Sequence, residues 1–405
     1  MTRSTLALLE CPFCGGELIL QPAPVPDIAG DEIVSGILSC ACCAYPVVDG
    51  IAYIRTGPQA NAAREHLGAA RCQQALWELL EIRNERLDQF RSAVEQNGTF
   101  PHLAGILGGG QMEYLVYRFS DPTFVCAEAV AAALARDSVA GAGPILDFGG
   151  GAGHLTRVLS RESAGRHIVL ADVSFWELWL ARRIVAPDAD CVCCDGNAPL
   201  PFRKGAFSLA VSADAFHYVW SRRLLAGELA RAVAPGGLVA LCHLHNADAV
   251  NWSAGMPLSA RGYRALFDGR VVRVFGERNL LDAIWAGILD FSGDPADVEL
   301  AAEPAFVLLA AADTRLLRRH ALGIPLSRSL APNPLYGIST VGGSVILRLA
   351  GASDAYEGEF GAFRQYLPEE VQLAEDWDER LMTGDPELVD LVRRRVLLDL
   401  PEGYA

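Results

Sequence analysis

The segment Pro144-Ile-Leu-Asp-Phe-Gly-Gly-Gly-Ala-Gly-His154 places an acid and three alternate glycines, Gly149, Gly151 and Gly153, directly behind an apolar run. Residues so spaced can cradle a ligand. Glycine has no Cβ, so the backbone turns sharply and approaches a bound group closely. Two further acids follow. His167-Ile-Val-Leu-Ala-Asp172 ends 25 positions beyond Asp147, and an acid about 20 residues past a glycine loop is placed to accept hydrogen bonds from ribose hydroxyls. Cys191-Val-Cys-Cys-Asp195-Gly196 repeats the apolar-then-acid pattern ahead of Leu200-Pro-Phe202. Together they imply a nucleoside-bearing cofactor. A dinucleotide is disfavoured, because G-x-G-x-x-G counted from Gly149 needs a glycine where His154 stands.

Open α/β sheets bind ligands outside the carboxyl ends of their strands. Asp214, His217 and His245 stand at such ends and are candidate general bases. His243 and His245 alternate along a strand and could pair on a metal, but no acid cluster adjoins them in sequence. The cysteines are grouped as well. Cys11-Pro-Phe-Cys14 and Cys40-Ala-Cys-Cys43, separated by 25 residues, form two knuckles. Cys11, Cys14, Cys40 and Cys43 would give zinc a tetrahedral set of thiolates, with Cys42 an alternative fourth. Such a site has no open position and is structural. The loop Gln21–Pro26 has little apolar content, so the metal is expected to supply missing stability. Cys191, Cys193 and Cys194 read as buried strand residues, not nucleophiles.

Strands are expected at Ile145–Leu146, Ile168–Ala171, Cys191–Cys194, Phe207–Ala213 and Leu238–His243, with a helix over Leu224–Val233 and a turn at Ala234-Pro-Gly-Gly237. The D-x-G-x-G-x-G loop, the "D…LPF" turn and the "APGG-strand", in this order, resemble the class I S-adenosylmethionine (SAM) methyltransferases, particularly the small-molecule and quinone group. Ser208 departs from the pattern, standing where many relatives carry an acid. The resemblance implies an α/β fold, a Rossmann-like seven-stranded doubly wound sheet, with Val271–Phe275 and an antiparallel Phe306–Ala311 as its last strands. It implies SAM as cofactor. Asp147, Gly149, Gly151 and Gly153 would hold the methionine portion, Asp172 the ribose, and Asp195 with Gly196 the adenine, while Ala213 borders the sulfonium. Tyr114, Tyr117 and Arg118 would line the site. Residues 6–56, ending in Tyr45-Pro-Val-Val-Asp-Gly-Ile51, resemble the zinc-ribbon activator subunit of tRNA, rRNA and release-factor methyltransferases, here fused in cis.

The expected organisation is a zinc ribbon at 1–58, a helical linker at 59–110, a SAM-binding domain at 111–312 and a C-terminal α+β appendage at 313–405, for substrate or oligomerisation. Leu76, Leu79, Leu80, Leu87, Phe90 and Val94 give the linker helical spacing over Asn61–Gln96, with a break at Gly108–Gly110. With 34 basic and 49 acidic residues, the net charge of −15 opposes nucleic acid as partner, since phosphate neutralisation dominates that affinity. No apolar run is long enough to span a membrane. Eleven cysteines without a secretory signal fit reduced thiols in the cytoplasm. The leading expectation is methyl transfer from SAM to a small molecule. The alternatives are an RNA or protein methyltransferase with a zinc-ribbon recognition module, and a SAM-binding protein with regulatory or non-methyl chemistry.

Overall fold

The computed structural model describes the chain apart from residues 23, 25, 83, 109–111, 138–140, 251–254, 324–329, 355, 358–366 and 405. The linker break expected at Gly109 and Gly110 lies outside the described residues. The cysteine-rich segment forms β1 (Ile19–Leu20), β2 (Asp27–Ala29), β3 (Glu32–Ser39), β4 (Ala44–Val48) and β5 (Ile51–Tyr53). Next come β6 (Ile145–Phe148), β7 (Ile168–Asp172), β8 (Asp190–Cys193), β9 (Phe207–Ala213), β10 (Val233–His245), β11 (Val271–Gly276), β12 (Ile288–Asp290) and β13 (Ala305–Ala311).

One sheet takes the order β1-β3-β4-β5-β8-β7-β6-β9-β10-β13-β11, with β2 on the flank of β3. From β5 to β10 the pairings are parallel, and β13 runs antiparallel between β10 and β11. The parallel strands read as continuous apolar runs because both faces are covered. Leu155, Leu159 and Leu178, from helices His154–Glu162 and Phe175–Leu180, share one face with Ile145, Leu170 and Leu209. Leu225 and Leu229, from Arg222–Ala232, share the other with Leu146, Val169 and Val239. This is the doubly wound α/β arrangement, with the site-bearing strands at its centre.

The cysteine-rich segment is continuous with this sheet. Ile51, Ala52 and Tyr53 pair in parallel with Cys191, Val192 and Cys193. Leu9, Leu18, Leu38, Tyr45 and Val47 enter the same apolar cluster as Val169, Val192 and Phe202. The core that the segment lacks locally is thus supplied by the rest of the chain. Each fully buried large apolar side chain contributes about 1.5–3 kcal/mol.

Within the linker the described residues form helices Pro58–Gly68, Cys72–Leu79, Asn84–Glu95 and Phe100–Gly108. Ala70 and Glu81, with φ of 57° and 54°, sit in the left-handed region between the first three, a conformation that ends an α-helix. Beyond the central sheet, β12 pairs with β14 (Arg319–Ala321), β15 (Leu330–Pro332) pairs with β19 (Leu397–Asp399), and β16 (Tyr336–Val341), β17 (Ser344–Leu349) and β18 (Glu370–Leu373) form a small sheet. A helix, Pro386–Arg393, precedes β19. Arg395, at φ 66°, turns the chain into β19.

The final residues then return to the site-bearing end. Tyr404 stacks on Phe100 at 4.7 Å, and its hydroxyl donates to the Leu115 carbonyl at 2.8 Å. That proton being committed, His154 Nε2 donates to the same hydroxyl oxygen at 2.7 Å. Burial, then the nearby Arg118, push the His154 pKa down to about 3, so the imidazole is neutral. The first residue of the helix after the glycine loop is thereby tied to the C-terminal tail. No helix among the described residues is long and apolar enough to cross a membrane.

Candidate functional site

The turn after β6 has the backbone its glycines allow. Gly149, Gly151 and Gly153 have φ of 71°, 51° and 84°. A Cβ on Gly149 would lie 2.5 Å from Ala215 Cβ, and one on Gly151 would lie 2.6 Å from a Glu177 carboxylate oxygen. At the base of the turn Asp147 is fully buried. Its Oδ2 accepts from the Thr156 hydroxyl at 2.6 Å, while Oδ1 has no hydrogen-bond partner among the described residues. Burial raises its pKa, Thr156 partly offsets this and Asp172 adds to it, leaving it near 7.

Asp172 accepts from the amides of Gly151 at 2.9 Å and Ser174 at 2.8 Å. Burial nonetheless raises its pKa. Glu177, one helical turn on, was missed by sequence reasoning. Burial, then the neighbouring Asp172, lift its pKa to about 8. The third acid, Asp195, accepts from the Asn197 amide at 2.8 Å. A Cβ on Gly196 would come within 2.9 Å of the Phe148 ring. Cys191 and Cys193 are buried in β8, and burial pushes their thiols to about 12.

A second group gathers at the carboxyl ends of β9 and β10. Asp214 follows Ala213 at φ 55° and donates its amide to the Cys242 carbonyl at 3.0 Å. His243 has φ 53° and marks a bulge, because Leu241 and Leu244 oppose Leu308 and Phe306. The bulge reverses the alternation, so Leu244 joins the apolar face that Val239 and Leu241 occupy. In a regular strand that face would have taken His243 and His245. Bulges re-aim side chains beside active sites in this way.

Asp214 Oδ2 accepts from Tyr114 at 2.7 Å and lies 3.4 Å from Arg118, which also pairs with Asp121 at 2.6 Å. Tyr114 and Arg118 thus reach the site, whereas Tyr117 packs on Tyr356 at 5.4 Å. The His217 ring stacks on His245 at 4.0 Å, and His243 stands edge-on to His245 at 5.1 Å. His243 Nδ1 is 2.9 Å from Glu277, the first residue after β11. Glu277 was also missed, although an acid at the end of a strand parallel to β10 was the available signal.

Burial disfavours charge on Asp214, but His243, Arg118 and the Tyr114 hydrogen bond outweigh it and hold the pKa below the usual carboxylate range. Burial also opposes protonation of His243, yet Glu277 and Asp214 raise its pKa to about 9. Burial and neighbouring imidazoles push His217 to about 3 and His245 to about 4.

In the cysteine-rich segment the sulfurs of Cys11, Cys14, Cys40 and Cys42 lie within 4.8 Å of one another. Cys42 replaces Cys43 in the expected set. The Cys43 sulfur lies 3.5 Å from that of Cys42 but is not part of this group, and Cys43, like Cys40, packs partly against the apolar cluster. Burial raises the Cys11 pKa, but hydrogen bonds from Tyr45 and the backbone of Cys14 and Phe13 bring it to about 6. Four sulfurs so gathered suit a structural zinc ion.

A cleft lined by Phe119, Val125, Arg157, Arg161 and Asp399 lies away from the strand ends. Its charges are mutually paired, Arg161 with both Asp399 and Glu128, so it reads as a packing seam.

The family described as a methyltransferase domain matches residues 145–237, the glycine loop through the APGG turn. Residues 145–237 of this chain are a methyltransferase domain. Similar solved structures include a chain of the complex between the Haloferax volcanii Trm112 methyltransferase activator and a methyltransferase, 19% identical, covering 46% of this chain and 89% of that one, TM-score 0.34. A SAM-dependent methyltransferase from Thermotoga maritima is 16% identical over 49% of this chain and 92% of that one, TM-score 0.34. One from Mesorhizobium loti is 18% identical over 43% and 92%, TM-score 0.31. No curated protein matches this sequence.

The domain's glycine turn and the buried Asp147 oxygen, without a partner among the described residues, suit a ligand carrying an ammonium group. The raised pKa of Asp147 gives this a pH signature. Below 7 the carboxyl is protonated in the ligand-free protein, and above 7 it is ionised and attracts the ammonium. We therefore expect S-adenosylhomocysteine to bind roughly tenfold more tightly at pH 8 than at pH 6. Asp147→Asn should flatten that dependence, as read by calorimetry. The sign is opposite for folding. The raised pKa favours the native state below the unfolded value, and that contribution is lost as pH rises through 7.

Proposed function

We propose that this methyltransferase acts on a small-molecule acceptor held at the carboxyl ends of β9 and β10. The observation that carries the reading is the enclosed polar cluster Asp214, His217, His243 and His245, whose neighbour Ala215 abuts Gly149. Asp214 and His243 are only 11% and 13% exposed, which suits an acceptor able to enter a narrow site. The net charge of −15 weighs against RNA.

Bound SAM supplies an electrophilic methyl carbon. In this reading Asp147, Gly149, Gly151 and Gly153 hold its methionine portion, Asp172 the ribose, and Asp195 with Gly196 the adenine, while Ala213 borders the sulfonium. Asp214, ionised and fixed by Tyr114 and Arg118, orients the acceptor in line with the departing sulfur. His217 and His245 are neutral at pH 7 and weak proton acceptors at their depressed pKa values, so they serve mainly as hydrogen-bonding walls. Residues 1–58 act as a metal ribbon bracing the sheet edge, 59–110 as a helical linker, 111–312 as the SAM-binding unit and 313–405 as a substrate or oligomerisation unit. Eleven free thiols suit a reducing cytoplasm.

Methyl-labelled SAM incubated with the protein and fractionated cell extract tests the reading. Label should enter the low-molecular-weight fraction with S-adenosylhomocysteine as co-product, and Asp214→Asn should lower it by at least tenfold. Label in RNA or protein would favour a macromolecular acceptor instead. Methylthioadenosine as product would sink methyl transfer altogether.

A further inference from the structure

We propose that Asp214, His243 and His245 bind one divalent transition-metal ion, separate from the cysteine site, with Glu277 as the positioning residue for His243. One donor atom from each of the three lies within 4.8 Å of the other two. Donors about 2.1 Å from a common ion stand roughly 3–4 Å apart, so each pair needs to draw in by at most about 1–2 Å. Two imidazoles and a carboxylate, leaving positions open, form the donor set of iron(II), manganese, cobalt and catalytic zinc sites.

Three independent features point to an ion there. A metal-bound histidine almost always donates its second ring nitrogen to a carboxylate, and His243 Nδ1 faces Glu277 at 2.9 Å, which leaves Nε2 for the ion. His217 is fully buried, yet neither ring nitrogen has a hydrogen-bond partner among the described residues. Its Nε2 lies 3.8 Å from Asp214 Oδ1, so a ligand of the ion, such as water or an acceptor oxygen, would meet the buried nitrogens. Charge agrees as well. The carboxylates of Asp214 and Glu277 flank His243, and a dication that displaces the His243 proton keeps them compensated. The resulting ligand class is a small molecule presenting an oxygen to the metal. That last step alone rests on the small-acceptor reading; the metal site does not.

The test uses the full chain with its cysteine site filled by zinc. Manganese(II) is then titrated and followed by the loss of its free paramagnetic resonance signal, since this ion avoids thiolates. One equivalent should bind. His243→Ala should abolish binding and Glu277→Gln should weaken it 10- to 100-fold. Wild-type protein that takes up no manganese, cobalt or zinc beyond the cysteine site overturns the proposal, whatever the variants do. Binding that survives unchanged in a folded His243→Ala overturns it too. S-adenosylhomocysteine calorimetry on the same samples reports separately on the methyl-transfer reading.

Discussion

Cys42→Ser will empty the N-terminal metal site and Cys43→Ser will not, when zinc per chain is measured by mass spectrometry. The structure groups the sulfurs of Cys11, Cys14, Cys40 and Cys42 within 4.8 Å of one another, and Cys43 is not part of that group. Zinc contributes about 10–16 kcal/mol to folding isolated finger peptides. Here the realised loss should be smaller, on the order of 5 kcal/mol, because Leu9 and Leu18 stay anchored in a cluster shared with Val169 and Phe202. Metal loss should therefore fray β3, β4 and the turn at Cys40 while sparing the sheet from β8 to β10. Hydrogen exchange would show protection lost at Glu32–Val48 and retained at Phe207–Ala213. Equal loss in both regions would mean that the ribbon metal holds the whole chain together.

The methyltransferase core was legible because its signals are local. Each acid closes an apolar run, and glycine at φ 71° after β6 is written in the residue type. The junction of ribbon and core was not legible. Ile51–Tyr53 pair with Cys191–Cys193 across a long sequence separation, and nothing in either run names its partner. The bulge at His243 also escaped, since period-two reasoning assumes the regular strand that His243 interrupts. Asp214 was visible as a strand-end acid. Its proximity to His243 follows from adjacent parallel strands, and Glu277 joins only through the order of strands at the sheet's far side. The acid cluster that sequence reading found missing beside the histidines is assembled by topology.

Gly149→Ala should lower S-adenosylhomocysteine affinity by about 100-fold, close to 3 kcal/mol, the upper end of what a strained backbone position costs. Two effects combine there. Gly149 lies at φ 71°, where a side chain is strained, and its new Cβ would sit 2.5 Å from Ala215 Cβ. Relief requires the loop after β6 to part from the end of β9, which carries Asp214. Gly205 separates the two effects, because it has the same φ of 71° but meets nothing nearer than Ala234 Cα at 3.7 Å. Gly205→Ala should thus cost about 1 kcal/mol in stability and leave affinity unchanged. Ala215→Gly in the Gly149→Ala background should recover part of the binding, since it removes the facing methyl while the strain in φ persists. A double-mutant cycle on affinity measures that coupling. Zero coupling would mean that the loop and the end of β9 do not act as one cradle.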